Sequence, residues 1–161
     1  MCACVDDCKK VLSCWGPVKA NPKQYGEIIL QRSIVLPIYI LSLFETHPGV
    51  QKLFPKFADL SKEQLQSNPD LQAHGEIVVC KLTEYMQKPE DQSLVQELGK
   101  SHAEQHKIPR ANFQIISEVI VMVAAEKIDG FGTDAQTALK NVLKEFQTAM
   151  GACYDKLGFD P

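Results

Sequence analysis

The sequence predicts an all-α fold, one domain spanning residues 1–161 with six to eight helices. Apolar residues recur at three- and four-residue spacing along most of the chain, the period of a helix with one buried face. Period-two alternation closed by hairpin turns, the strand signature, is missing. A chain of 161 residues with 45% apolar content can bury roughly 70% of its unfolded surface, enough for a full core without disulfides.

Taken in order, residues 1–4 read as a frayed end before the first helix. Ser61-Lys62-Glu63-Gln64 fits a capping box. Asn68-Pro69-Asp70 supplies an N-cap, a first-turn proline and an acid suited to the helix dipole. The helix that follows carries Leu71, His74, Val78 and Leu82 on one stripe. Ile108-Pro109 must end the helix that holds His102, because a residue before proline avoids the α region. Phe113, Ile116, Ile120 and Val123 form another stripe. Asp129-Gly130 reads as a turn between helices. Thr133-Asp134 can cap a last helix with Leu139, Val142, Leu143, Phe146, Met150, Cys153 and Leu157 on one face.

Composition excludes several functions. The net charge is −3, so the basic footprint of a nucleic-acid binder is absent. The longest apolar run, Ile34 to Phe44, is broken by Pro37 and Ser42 and falls short of the roughly 20 residues that span a bilayer. The start, Met1 to Asp7, has no apolar stretch and two early acids, unlike a signal peptide. A cytoplasmic protein with reduced thiols is therefore expected. Cys2, Cys4, Cys8 and Cys14 lack the paired Cys-x-x-Cys of zinc sites; exposed thiols there could still form redox disulfides.

The four histidines carry the chemistry. His74 lies between Leu71 and Val78, and His102 lies one turn after Leu98 and two after Val95. Each could be a core histidine with a polar partner. Two on the inward stripes of separate helices also suit an iron porphyrin between them, one imidazole ligating iron and the other facing the open site. His102 and His106 share a helix face as zinc ligands do, but Ala103 stands where the zincin glutamate belongs. Ile108-Pro109 is also expected to fray the helix before His106 is aligned.

Several stretches match one family in order and near-family spacing. They are Trp15-Gly16-Pro17-Val18, Leu43-Phe44-Glu45-Thr46-His47-Pro48 and Lys52-Leu53-Phe54-Pro55-Lys56-Phe57, then Asn68 to Gly75. Ser101-His102-Ala103, His106-Lys107-Ile108-Pro109, Ile116-Ser117-Glu118 and Tyr154 to Phe159 complete the set. From about residue 5 to its end the chain resembles the vertebrate globins. Its close looks like the myoglobin-like, monomeric branch.

The resemblance implies haem b as cofactor and dioxygen as ligand, with carbon monoxide, nitric oxide and nitrite as further partners. Storage and facilitated diffusion of dioxygen in muscle or a similar tissue would be the main role. Nitrite reduction, nitric oxide scavenging or pseudoperoxidase activity would be secondary, and a bis-histidyl sensor is the other reading. His102 takes the proximal position on iron, and Ser101 would orient its ring through the second nitrogen. His74 takes the distal position, donating a hydrogen bond to dioxygen, and Val78 would crowd the ligand. Phe54 would stack on the porphyrin, and Leu98 and Phe113 would line the pocket floor. His106 and Lys56 would reach the propionates. Tyr154 would bond a backbone carbonyl near Ile108. His47, before Pro48, reads as a surface turn residue.

One segment departs from the family: ten residues, Ser33 to Ser42, separate Arg32 from Leu43. Without them Gly26 to Arg32 would run into Leu43-Phe44 as one helix, and a splice or gene-model artefact is the leading account. Ten helical residues add about 15 Å and about 1000° of turn, leaving the faces roughly 80° out of register. Pro37 favours a kink. Either Leu30 or Ile40 would roof the distal pocket. The protein lacking the insert is expected to melt at a higher temperature; equal melting temperatures would refute this.

Overall fold

The computed structural model describes residues 3–20, 44, 47–66 and 68–160. The insert, the Gly26–Arg32 stretch and the choice between Leu30 and Ile40 lie outside the described residues. Eight helices are present among those described, and no strands. They are α1 (Ala3–Cys14), α2 (Gly16–Ala20), α3 (Pro48–Gln51), α4 (Lys62–Gln66), α5 (Pro69–Gln87), α6 (Gln92–Lys100), α7 (Ala111–Lys127) and α8 (Thr133–Leu157). A wider helical turn, Ser101–His106, continues α6. No single described helix is long and apolar enough to cross a membrane. The chain divides into two compact units, Trp15–Thr83 and Met1–Cys14 with Glu84–Pro161.

In the first unit, local capping sets the helix starts. Ser61 N–H donates to Gln64 Oε1 at 2.9 Å and Gln64 N–H to Ser61 Oγ at 3.3 Å, the reciprocal box expected. Asn68 Oδ1 accepts from the N–H groups of Asp70 and Leu71 at 2.9 and 3.1 Å. The non-helical stretch before α4 is tied by Gln51, whose Nε2 donates to the carbonyls of Phe57 (2.8 Å) and Leu60 (3.0 Å). Trp15 Nε1 donates to Thr83 Oγ1 at 3.0 Å, satisfying a buried indole.

In the second unit, α8 is the central element, packing on α1, α6 and α7. Its buried positions are Ala135, Ala138, Leu139, Val142, Leu143, Met150 and Tyr154, the three- and four-residue spacing of one face. Leu157 is on the expected face but is the last residue of the helix, and it is 39% exposed. The cap is Gly132 rather than Thr133-Asp134, and no side chain bonds the free N–H groups there. The helix ends at Gly158, whose φ of 65° suits a residue without Cβ.

The stripe expected on α7 is rotated. Phe113, Ser117, Val121, Val123 and Ala124 are buried, while Ile116 and Ile120 are half-buried. This helix is apolar almost all round, so periodicity alone could not select its inner face. The buried Ser117 is satisfied by donating to Phe113 O and accepting from Gln147 Nε2 on α8. Helix α1 starts at Ala3, so residues 3 and 4 are helical rather than frayed. Cys8 is 1% exposed. Burial, with help from Cys4, pushes its thiol up to about 12, so it is a core residue and not a reactive surface thiol.

Helices α6 and α8 meet at Gly99, where an added Cβ would sit 2.5 Å from Cys153 Sγ and 2.9 Å from its Cβ. Gly99→Ala should therefore destabilise the protein by about 1–3 kcal/mol through overpacking, offset by up to ~1 kcal/mol of helix propensity. Cys153→Gly in the same chain should recover much of the loss. Urea denaturation checks both; an unchanged midpoint in Gly99→Ala would contradict the close approach.

Candidate functional site

The residues singled out by sequence fall into two clusters, one in each unit. The first is built on the end of α6. Pro109 forbids helical geometry at Ile108, so the helix must close just before it. It does so by widening over Ser101–His106 and turning left-handed at Lys107, φ 52°. The Lys107 and Ile108 N–H groups both donate to the His102 carbonyl, the latter at 2.9 Å. Such wide turns recur at functional positions. His106 stays in the helix, contrary to the fraying expected, with its ring 5.9 Å from that of His102.

His102 is the centre of this cluster. Its Nδ1 lies 2.8 Å from the Leu98 carbonyl one turn back. A carbonyl can only accept, so Nδ1 carries the proton and Nε2 keeps a bare lone pair. Burial lowers the ring's proton affinity, and His106 lowers it further, against the Leu98 bond that raises it. The ring is thus neutral near pH 7, the state a metal ligand needs. Phe113 flanks it at 5.5 Å.

Ser101 does not orient this ring. Its hydroxyl donates to Gln105 Oε1 at 3.3 Å, because the one Nδ1 hydrogen is already taken by Leu98 O. Leu98 was expected only to line a pocket floor; its backbone oxygen fills the orienting role instead. Sequence carries no signal for this, since every residue has a carbonyl.

Behind the ring, Phe113 packs edge-on to Tyr154 at 5.7 Å and to Phe146 at 6.4 Å. Tyr154 is fully buried and its hydroxyl donates to Ile108 O at 2.7 Å, the bond expected. Burial, chiefly, pushes the phenol up to about 12, so it remains a donor. Tyr154→Phe should cost about 1–3 kcal/mol by leaving a buried carbonyl unpaired. A thermal melt would show this, and no change in melting temperature would contradict it.

The second cluster is aromatic. Phe54 lies 5.7 Å from Phe44, 6.1 Å from Phe57 and 5.5 Å, edge-on, from His74. His74 and Val78 are half-buried on α5, one turn apart, while Leu71 is buried. Lys56 is exposed and lies 3.6 Å from Asp70, a surface pair of small value. His47 is exposed at the start of α3, and its carbonyl accepts from Val50 N–H at 2.8 Å.

The globin family model matches residues 40–150. The chain is also 40% identical over 154 residues to the myoglobins of Makaira nigricans and Scomber japonicus, covering 95% of its own length and 97% of theirs. The myoglobin of Tetraodon nigroviridis is 39% identical over the same span.

The chain belongs to the globin family.

Membership implies a haem cofactor for this globin, and the residues present fit one. His102 Nε2 is a lone pair with no hydrogen bond among the described residues, on a neutral, partly buried ring fixed by Leu98. Haem iron is a partner that such a nitrogen suits. The family match spans both His74 and His102 and stops before Tyr154. Residues ahead of 40, most of the insert among them, lie outside the family match.

Proposed function

We propose that this globin reversibly binds dioxygen through haem b, as a monomer, for storage and facilitated diffusion in the cytoplasm, the sarcoplasm if the tissue is muscle. The observation that carries the reading is the His102 ring, held by Leu98 O at 2.8 Å with no hydrogen bond to Nε2 among the described residues. Haem, when bound, would supply a ferrous iron able to hold a diatomic gas reversibly. His102 would hold it through Nε2, with Leu98 keeping the imidazole in the ligating tautomer. Phe113 and Leu98 shield the ring from water on this side. In the aromatic cluster, His74 would offer a ring N–H to the gas, and Val78 would limit the room beside it. Phe54 provides an aromatic face for the macrocycle. His106 and Lys56, both exposed, are placed by this reading at the propionates. The myoglobin relatives support the same reading.

An absorption spectrum tests it. Haem added to the protein should give a Soret band, and the deoxygenated ferrous form a single broad visible band. Air should split that band in two, and removing the gas should restore it. Carbon monoxide and nitric oxide should bind at the same position. Two sharp bands before any gas is added would place both histidines on iron and overturn the reading. A protein that stays colourless would overturn it entirely.

A further inference from the structure

Arg110, in the unit that holds His102, is heavily bonded. Its backbone N–H donates to Asp160 Oδ2, and its Nε donates to Asp160 O at 2.7 Å. Its Nη2 donates to Asp155 Oδ1 at 2.8 Å. The guanidinium carbon lies 6.0 Å from the Tyr154 ring centroid. One residue thus grips Asp155 in the last turn of α8 and Asp160, three residues beyond its end. Asp160 itself sits at φ 48°, an uncommon conformation for a residue other than glycine.

The bonds continue inward without a gap. Arg110 fixes the segment around Tyr154; Tyr154 donates to Ile108 O; Ile108 N–H donates to His102 O. Arg110 is also two residues from Ile108 in the chain and directly follows Pro109, whose ring is stiff. The C-terminal end of α8 and the turn that carries His102 are therefore held as one piece, with the guanidinium as its outer clasp. A planar fork with five donors can do this; an ammonium cannot reproduce it.

We propose that Arg110 is a positioning residue for His102, setting the orientation and rigidity of the imidazole by clasping Asp155 and Asp160 behind Tyr154. This rests on the reading of His102 as the iron ligand, and the test separates the two.

In the full chain loaded with haem, Arg110→Met should shift or broaden the iron–imidazole stretching band of the deoxygenated ferrous protein in resonance Raman. In the haem-free protein, amide hydrogen exchange at Lys107 and Ile108 should speed up by about tenfold or more, as expected for the loss of a charge-assisted bond. Arg110→Lys, which keeps charge and most of the bulk, guards against misfolding and should show a smaller change in the same direction. Combined with Tyr154→Phe, the effect of Arg110→Met on exchange should shrink, since both act along one chain of bonds. An unchanged band together with unchanged exchange at Lys107 and Ile108 overturns the proposal while leaving the ligand assignment intact. A wild-type protein that binds haem but lacks an iron–imidazole band refutes the ligand assignment instead, and with it this proposal.

Discussion

His102→Gly should strip this globin of stable haem retention, and added imidazole should restore it. The substitution removes the proposed tether to iron, and leaves a space the shape of the lost ring beside Phe113, 5.5 Å away in the wild type. The contacts proposed for Phe54, Phe113, His106 and Lys56 would persist. A tether held in place multiplies affinity through its effective concentration, so haem loss should accelerate by about 10²–10⁴-fold. Free imidazole recovers the bond but not the tethering. Transfer of haem to an excess of a second apoglobin, followed at the Soret band, measures the rate. Slow transfer without imidazole would contradict the proximal assignment. Leu98 offers no substitute, because its contribution is a backbone oxygen that stays behind when the ring is gone.

His74→Leu should speed dioxygen release. A neutral N–H donating to a polarised gas is worth about 1.5–3 kcal/mol, which is about ten- to a hundredfold in rate if the loss falls on dissociation. Carbon monoxide, less polarised, should change less. Leucine keeps the bulk beside Phe54, whose ring lies 5.5 Å from that of His74, so a steric effect would move both gases alike. His74→Gln, which retains a donor, should fall between. Stopped-flow release of each gas distinguishes these outcomes, and an unchanged dioxygen off-rate would contradict the distal assignment.

The features that sequence made legible are those whose cause is short-ranged. The Ser61–Gln64 box and the Asn68 cap involve residues two and three apart, and both form as expected. Pro109 acts on its own neighbour and ends the helix where it must. The α8 face emerges because its apolar residues alternate with polar ones. Where that contrast vanishes, as on α7, the inner face was misjudged and Ser117 was buried in place of Ile116 and Ile120. Glycine at 132 took the cap from Thr133 for a similar reason: one residue's shift is invisible to pattern but settled by backbone path.

By itself, then, the order of residues determined an all-helical chain, its family, and the two histidines proposed to carry its chemistry. Tertiary packing decided which atom steadies His102, how closely α6 could approach α8 at Gly99, and that Arg110 would close over residues 45 and 50 positions away. Capping and helical period are fixed by neighbours within one turn, so they leave a local trace. A carbonyl that finds an imidazole, or a guanidinium that finds two carboxylates, depends on where the backbone has already been carried.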